Sequence, residues 1–116
     1  MTARRVFHVL SFGDYEALRD GGPAAEHRPA SLERDGFVHL SFAEQLAGTL
    51  RAHFAGAGRL ALLELDPARV APDLRCEPAR GGALFPHLYR ALRASDVAAA
   101  WPLEPARGFA LPAGLA

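Results

Sequence analysis

Lysine is absent from this chain of 116 residues, and all 13 basic side chains are arginine. Schiff-base chemistry and a lysine general base are therefore excluded. Arginine-only usage, with abundant Ala, Gly and Pro, matches the coding bias of a GC-rich genome, so no single Arg marks a site on that ground. Cys76 is the one cysteine, which rules out an intrachain disulfide and a cysteine-built zinc cluster. A reducing cytoplasm is the compartment this fits. No stretch approaches the ~18 apolar residues of a membrane span, and Met1 to Arg5 lead into a strand pattern without the apolar core of a signal peptide. Neither sign of charge is in excess: 13 acidic residues balance the 13 basic ones, for a formal net charge of zero. A general nucleic-acid binder or a basic membrane ligand is excluded, leaving nucleic acid only as a substrate. There is no Gly-x-Gly-x-x-Gly and no Walker loop, so dinucleotide binding of the Rossmann kind is not expected.

What the chain does have is apolar residues, 50% of the total. That suffices for the core of one domain over residues 1–116. Val6 to Leu10 reads as a first strand. Ser11 or Asp14 opens a short helix, closed by Gly21-Gly22-Pro23. Ala24 to Ala30 reads as a polar loop, and Ser31 to Asp35 as a helical turn stopped by Gly36. Phe37 to Leu40 is a second strand. Ser41 and Glu44 stand at capping-box spacing, which predicts the longest helix from Ser41 to about Phe54. Phe42, Leu46, Leu50 and Phe54 then share one face.

The continuous apolar run Arg59 to Leu65 predicts a central strand. Ala68 to Val70 reads as a helical turn, Leu74 to Glu77 as a short strand and Pro78 to Ala83 as a loop. Phe85 to Leu92 is strand-like, with Pro86 implying an edge or a bulge. Ser95 or Asp96 caps an Ala-rich helix through Trp101. Residues 104–116 form a tail that lies on the surface or frays. The expectation is an α+β fold with a mixed or mainly antiparallel sheet and short helices.

Three histidines occupy like positions on strand-like segments: His8, His39 and His87. His39 ends its strand beside a predicted helix N-terminus, whose free N–H groups favour anions. Ser41 shares its face at period two and serves as cap, phosphate donor or both. His87 and Tyr89 share a face; His is an acid, base or ribose ligand near neutral pH, and Tyr stacks and donates. The competing readings are a backbone-bonded His8 and a wet edge strand for His87 and Tyr89. Glu77 is the leading carboxylate, equally readable as a partner of Arg75 or Arg80. Arg28 reads as a pyrophosphate clamp or a solvated loop residue. His27 and His53 read as surface residues.

The phrases around these residues resemble a known family. They are Phe7-His8-Val9, Arg28-Pro29-Ala30-Ser31-Leu32, Gly36 to Ser41, Ala43-Glu44-Gln45, Leu62 to Pro67 and Leu84 to Tyr89. Together, over about residues 6–103, they resemble the DUF952 family. The resemblance implies an ADP-ribosyltransferase-like fold with a split, bent sheet around an NAD-sized cleft, nearest to RNA 2′-phosphotransferases. By the resemblance, His8 grips a ribose and His39 stands near the cleft, while Glu77 and His87-Leu88-Tyr89 match further motif positions. NAD is the implied co-substrate. Catalytic candidates are His39, Glu77 and His87; ligand-binding candidates are His8, Arg28, Ser41, Phe85 and Tyr89. Cys76 and Arg90 depart from the aromatic and the glycine the family often has there, with Arg90 adding a phosphate contact or crowding the cleft. Two rivals remain: a non-catalytic ligand- or protein-binding domain, and a three-His metal-dependent hydrolase. No metal is expected, because no His-x-His or His-x-x-x-His spacing pre-organises two ligands.

Overall fold

The computed structural model describes residues 4–115, so readings that fall on Met1 to Ala3 and on Ala116 lie outside the described residues. The fold is α+β, with antiparallel sheets and short helices. Its centre is a four-stranded sheet in the order β4-β1-β5-β9, comprising Ser41–Phe42, Val6–Ser11, Leu60–Leu65 and Val97–Leu103. A second sheet, β3-β7-β6, consists of Val38–His39, Leu84–Leu88 and Leu74–Pro78. A two-stranded ribbon pairs β2, Glu26–His27, with β8, Leu92–Arg93.

Strand periodicity explains why the central sheet is apolar on both faces. In β1, Val6 and Leu10 enter one core, while Phe7 and Val9 enter the other. In β5, Ala61, Leu63 and Leu65 face the first core, and Leu60 and Leu62 the second. The first core is closed by Val38, Leu40 and Leu88 of the second sheet and by Leu18 of helix α1, Phe12–Asp20. The second is closed by Leu46 and Leu50 of helix α3, Leu46–His53, with Leu115 from the tail. Phe109 and Leu111 pack against that core too, so the tail lies on the body of the protein.

Local signals hold where capping chemistry dominates. Ser11 Oγ accepts from the Asp14 N–H at 3.1 Å, capping α1. Helix α2, Ala30–Asp35, ends at Gly36 with φ 85°, the left-handed value that glycine allows. Asp66 caps the short helix α4, Pro67–Val70, by accepting from the Ala68 N–H.

Three readings are corrected. Ser41 caps no helix: it pairs with Phe7 across the central sheet, is buried, and bonds Thr49 Oγ1 at 2.8 Å. The helical run begins at Ala43 as a 3-10 turn. Gln45 supplies the local tie there, Oε1 accepting from the Phe42 N–H and Nε2 donating to the Leu84 carbonyl. The Ala-rich segment after Asp96 is strand β9, because β5 needs a partner along its open edge and the register sets Leu63 against Ala100 and Leu62 against Trp101. Tertiary pairing overrides alanine's helix propensity. Finally, Pro86 lies in the middle strand of its sheet. A strand residue's N–H and C=O point to the same side. The Pro86 carbonyl accepts from Leu40 N–H at 3.0 Å, so its missing donor falls where β3 ends.

Leu62 is fully buried in β5. Leu62→Ala is expected to lower unfolding free energy by roughly 2–5 kcal/mol, read by urea denaturation. Leu84→Ala, at 54% exposure, is the control and should stay within about 0.5 kcal/mol.

Candidate functional site

Between β3 and β4 the chain leaves one sheet and joins the other, and a cleft opens beside that crossing. Its volume is about 920 Å³, in the range of small-molecule sites. The histidines His8, His27, His39 and His53 line it, with Arg34 and Arg80 as its cations and Phe85 as an apolar wall.

His8 is set by β1, on the face opposite Phe7 and Val9. It is 8% exposed. Its Nδ1–H donates to the His39 carbonyl at 2.9 Å, which leaves Nε2 as a bare acceptor. That nitrogen is buried and has no partner among the described residues. Burial pushes the His8 pKa down to about 4, against the opposing pull of the His39 carbonyl. The ring stays neutral, and the His27 ring lies 5.7 Å away. Burial also lowers the His27 pKa.

His39 is half exposed, and its Nε2–H donates to Asp35 Oδ2 at 2.9 Å. Arg34, first, and then His39 hold the Asp35 carboxyl down at about 2. The Ser41–Thr49 hydroxyl pair closes the floor of the cleft.

Behind His39 stands a second group. The His87 ring is 5.3 Å from that of His39 and stacks on Phe37 at 3.9 Å. His87 Nδ1–H donates to Glu77 Oε1 at 2.9 Å. The Tyr89 hydroxyl donates to the same oxygen, and Arg75 lies over the Tyr89 ring. Tyr89 and then His87 lower the Glu77 pKa, and Glu77 raises that of Tyr89. His87 is buried, with its Nε2 unpartnered. The group sits on the sheet of β6 and β7, where register brings Arg75 opposite His87 and Glu77 opposite Phe85.

Of the expected residues, His8, His39, Ser41 and Phe85 line the cleft. Glu77, His87 and Tyr89 form the adjoining group, touching the cleft through His39. Arg28, readable as a clamp or a solvated residue, is exposed, pairs with Glu26 at 3.1 Å and is not in the cleft wall. Arg90 is an internal tie, bonding Asp96, Asp73 and two carbonyls. His27 and His53, read as surface residues, border the cleft, as do Arg34, Asp35, Thr49 and Arg80. Proximity to Gly36 and to the Gly81-Gly82 turn was the available signal for Arg34 and Arg80. His27 had none, because its position depends on the pairing of β2 with β8. Among the described residues no three metal-ligating side chains converge on one point, and no helix is long and apolar enough to cross a membrane.

A small α+β domain with a histidine-lined cleft at a split between sheets is the class these features define. The family described as "Protein of unknown function (DUF952)" matches residues 12–100, and the chain belongs to that family. It is similar to the crystal structure of protein CC0527 from Caulobacter crescentus, with 36% identity over 86% of each chain and a TM-score of 0.76. The solution NMR structure of CC0527 gives 36% identity and a TM-score of 0.72, covering 86% of this chain and 84% of that one. No curated protein matches the chain.

The neutral His8 has a consequence for stability. Unfolded, it takes a proton near 6.5; folded, only near 4. Between those values the unfolded chain holds more protons, so acid favours unfolding. His8's contribution is complete above about pH 6.5 and is lost as pH falls towards 4, on the order of 2–4 kcal/mol. Urea midpoints across that range should fall steeply for the wild type. They should fall less for His8→Gln, whose amide keeps a donor for His39 and does not titrate.

Proposed function

We propose that the cleft binds a nucleotide-class ligand, NAD or another molecule bearing ADP-ribose. The observation that carries this is His8. Its Nδ1–H is committed to a backbone carbonyl, so the group that meets Nε2 must be a donor, as a ribose hydroxyl is. The size of the cleft and the cations in its wall support the same ligand class. The change of sheet between β3 and β4 supports the reading as an ADP-ribosyltransferase-like split sheet.

A transfer of ADP-ribose or phosphate with NAD as co-substrate is the reaction this reading extends to. Its oxocarbenium-like sugar is stabilised by a nearby carboxylate and a positioned proton donor or acceptor. His39 is the group that both lines the cleft and abuts His87, so it is the side chain placed to exchange a proton with the ligand, with Glu77 orienting His87 behind. One observation favours a second reading, a non-catalytic binding domain. Glu77 is engaged with His87 and Tyr89 and does not line the cleft. A three-His metal hydrolase is disfavoured, since among the described residues His8, His39 and His87 do not form a group that could hold one ion.

Isothermal titration with NAD, ADP-ribose and a 2′-phosphorylated oligonucleotide tests the reading. Binding of at least one below millimolar is expected; silence from all three at millimolar concentration overturns it. His39→Ala should weaken that binding while leaving Tm near the wild-type value, because a half-exposed strand-end side chain fills little core volume. If His39→Ala instead binds normally and melts early, as Leu62→Ala should, His39 is structural. If the protein is a transferase, loss of His39 should also slow turnover by ~10²–10⁴.

A further inference from the structure

The two arginines of the cleft are not equivalent. Arg34 is spent on Asp35, which accepts from it at 3.1 and 2.9 Å. Arg80 meets no carboxylate among the described residues. Its guanidinium lies over the Phe85 ring, 4.9 Å from the centre. It projects from the turn Arg80–Gly82, where Gly81 and Gly82 have φ of 68° and 82°, values that favour glycine.

From there Arg80 reaches across to α3. A Cβ on Gly48 would stand 3.0 Å from an Arg80 terminal nitrogen and 3.9 Å from an Arg51 terminal nitrogen. Glycine inside a helical run is unfavourable relative to alanine, yet here its bare backbone lets a guanidinium lie against the helix. Arg51 also meets no carboxylate among the described residues, and it lines a small groove between α3 and the tail. Both guanidinium groups come near the Gly48 position, and an anion there would accept from both. Thr49 and His53 of the same helix line the cleft beside Arg80, adding two polar groups to this wall.

We propose that Arg80, supported by Arg51 and admitted by Gly48, is a phosphate subsite that takes the diphosphate of the ligand. The role first read for Arg28 falls to Arg80. The inference deepens the nucleotide reading of the cleft and rests on it for the rest of the ligand, but its probe is inorganic.

The full chain, labelled with ¹⁵N, is titrated with inorganic pyrophosphate and, separately, with ADP-ribose. The amides of Gly48, Gly81 and Gly82 should shift saturably with pyrophosphate. Arg80→Ala should weaken pyrophosphate binding about tenfold or more, the loss expected for a charge-assisted hydrogen bond. Gly48→Ala should weaken it as well, by displacing the guanidinium, while Arg69→Ala, a cation beside Asp66 on α4 and outside both linings, should not. An unresponsive wild type, or a response that survives both Arg80→Ala and Gly48→Ala, overturns the subsite. ADP-ribose binding that is indifferent to Arg80→Ala also overturns it and leaves the nucleotide reading intact. Pyrophosphate binding at these glycines without binding of ADP-ribose, NAD or the 2′-phosphorylated oligonucleotide supports the subsite and removes the nucleotide reading.

Discussion

One peptide group, His39–Leu40, joins the two sheets. A trans peptide points its N–H and C=O in opposite directions. The Leu40 N–H goes to the Pro86 carbonyl of β7 at 3.0 Å, and the His39 carbonyl accepts from His8 of β1 at 2.9 Å. Pro86 has no N–H to return, so ladder pairing ends there and the chain is free to join the central sheet at Ser41. The split, the cleft beside it and the tautomer of His8 all follow from this one linkage.

The same linkage ties chemistry to stability. A buried imidazole whose Nδ1–H is committed holds its Nε2 as a fixed acceptor, and burial keeps it neutral. The protonation state and tautomer of a cleft-lining histidine are thus set by the way the sheets are joined. On the far side of His39, a carboxylate orients a second buried histidine, and Phe37 stacks over it. These are two histidine environments of different character. The first is bonded to backbone at the cleft, and the second is bonded to Glu77 behind it, with His39 between them.

A separate constraint holds the corner before β9. Asp96 is 2% exposed and accepts both terminal nitrogens of Arg90, at 2.7 and 3.0 Å, as well as the Arg93 N–H at 2.8 Å. Burial alone would raise its pKa, but the Arg90 guanidinium and the Arg93 amide hold it below the usual carboxylate value. Removing either partner would strand a buried charge. This explains why Arg90 stands where a glycine was expected: it anchors the turn between β7 and β8 to the start of β9, away from any ligand. Asp96 looked like a helix cap in the sequence because caps and buried ion acceptors draw on the same residue type.

Features set by local chemistry were legible without the structure. The Ser11 cap, the Gly36 stop, the helical turn at Ala68 to Val70 and the β5 run each follow from a few adjacent residues, because caps, left-handed glycine and continuous burial act over short range. His8 and His39 stand where strand patterns break, and both prove to line the cleft. Only the tertiary structure decided that Val97–Leu103 is a strand, that Ser41 belongs to the sheet, that Arg28 is outside the cleft and that His27 and Arg80 border it. Those outcomes depend on which edge of β5 is open and which loops meet across the split. Such long-range pairing overrides alanine propensity and capping spacing, and it has no signature in neighbouring residues.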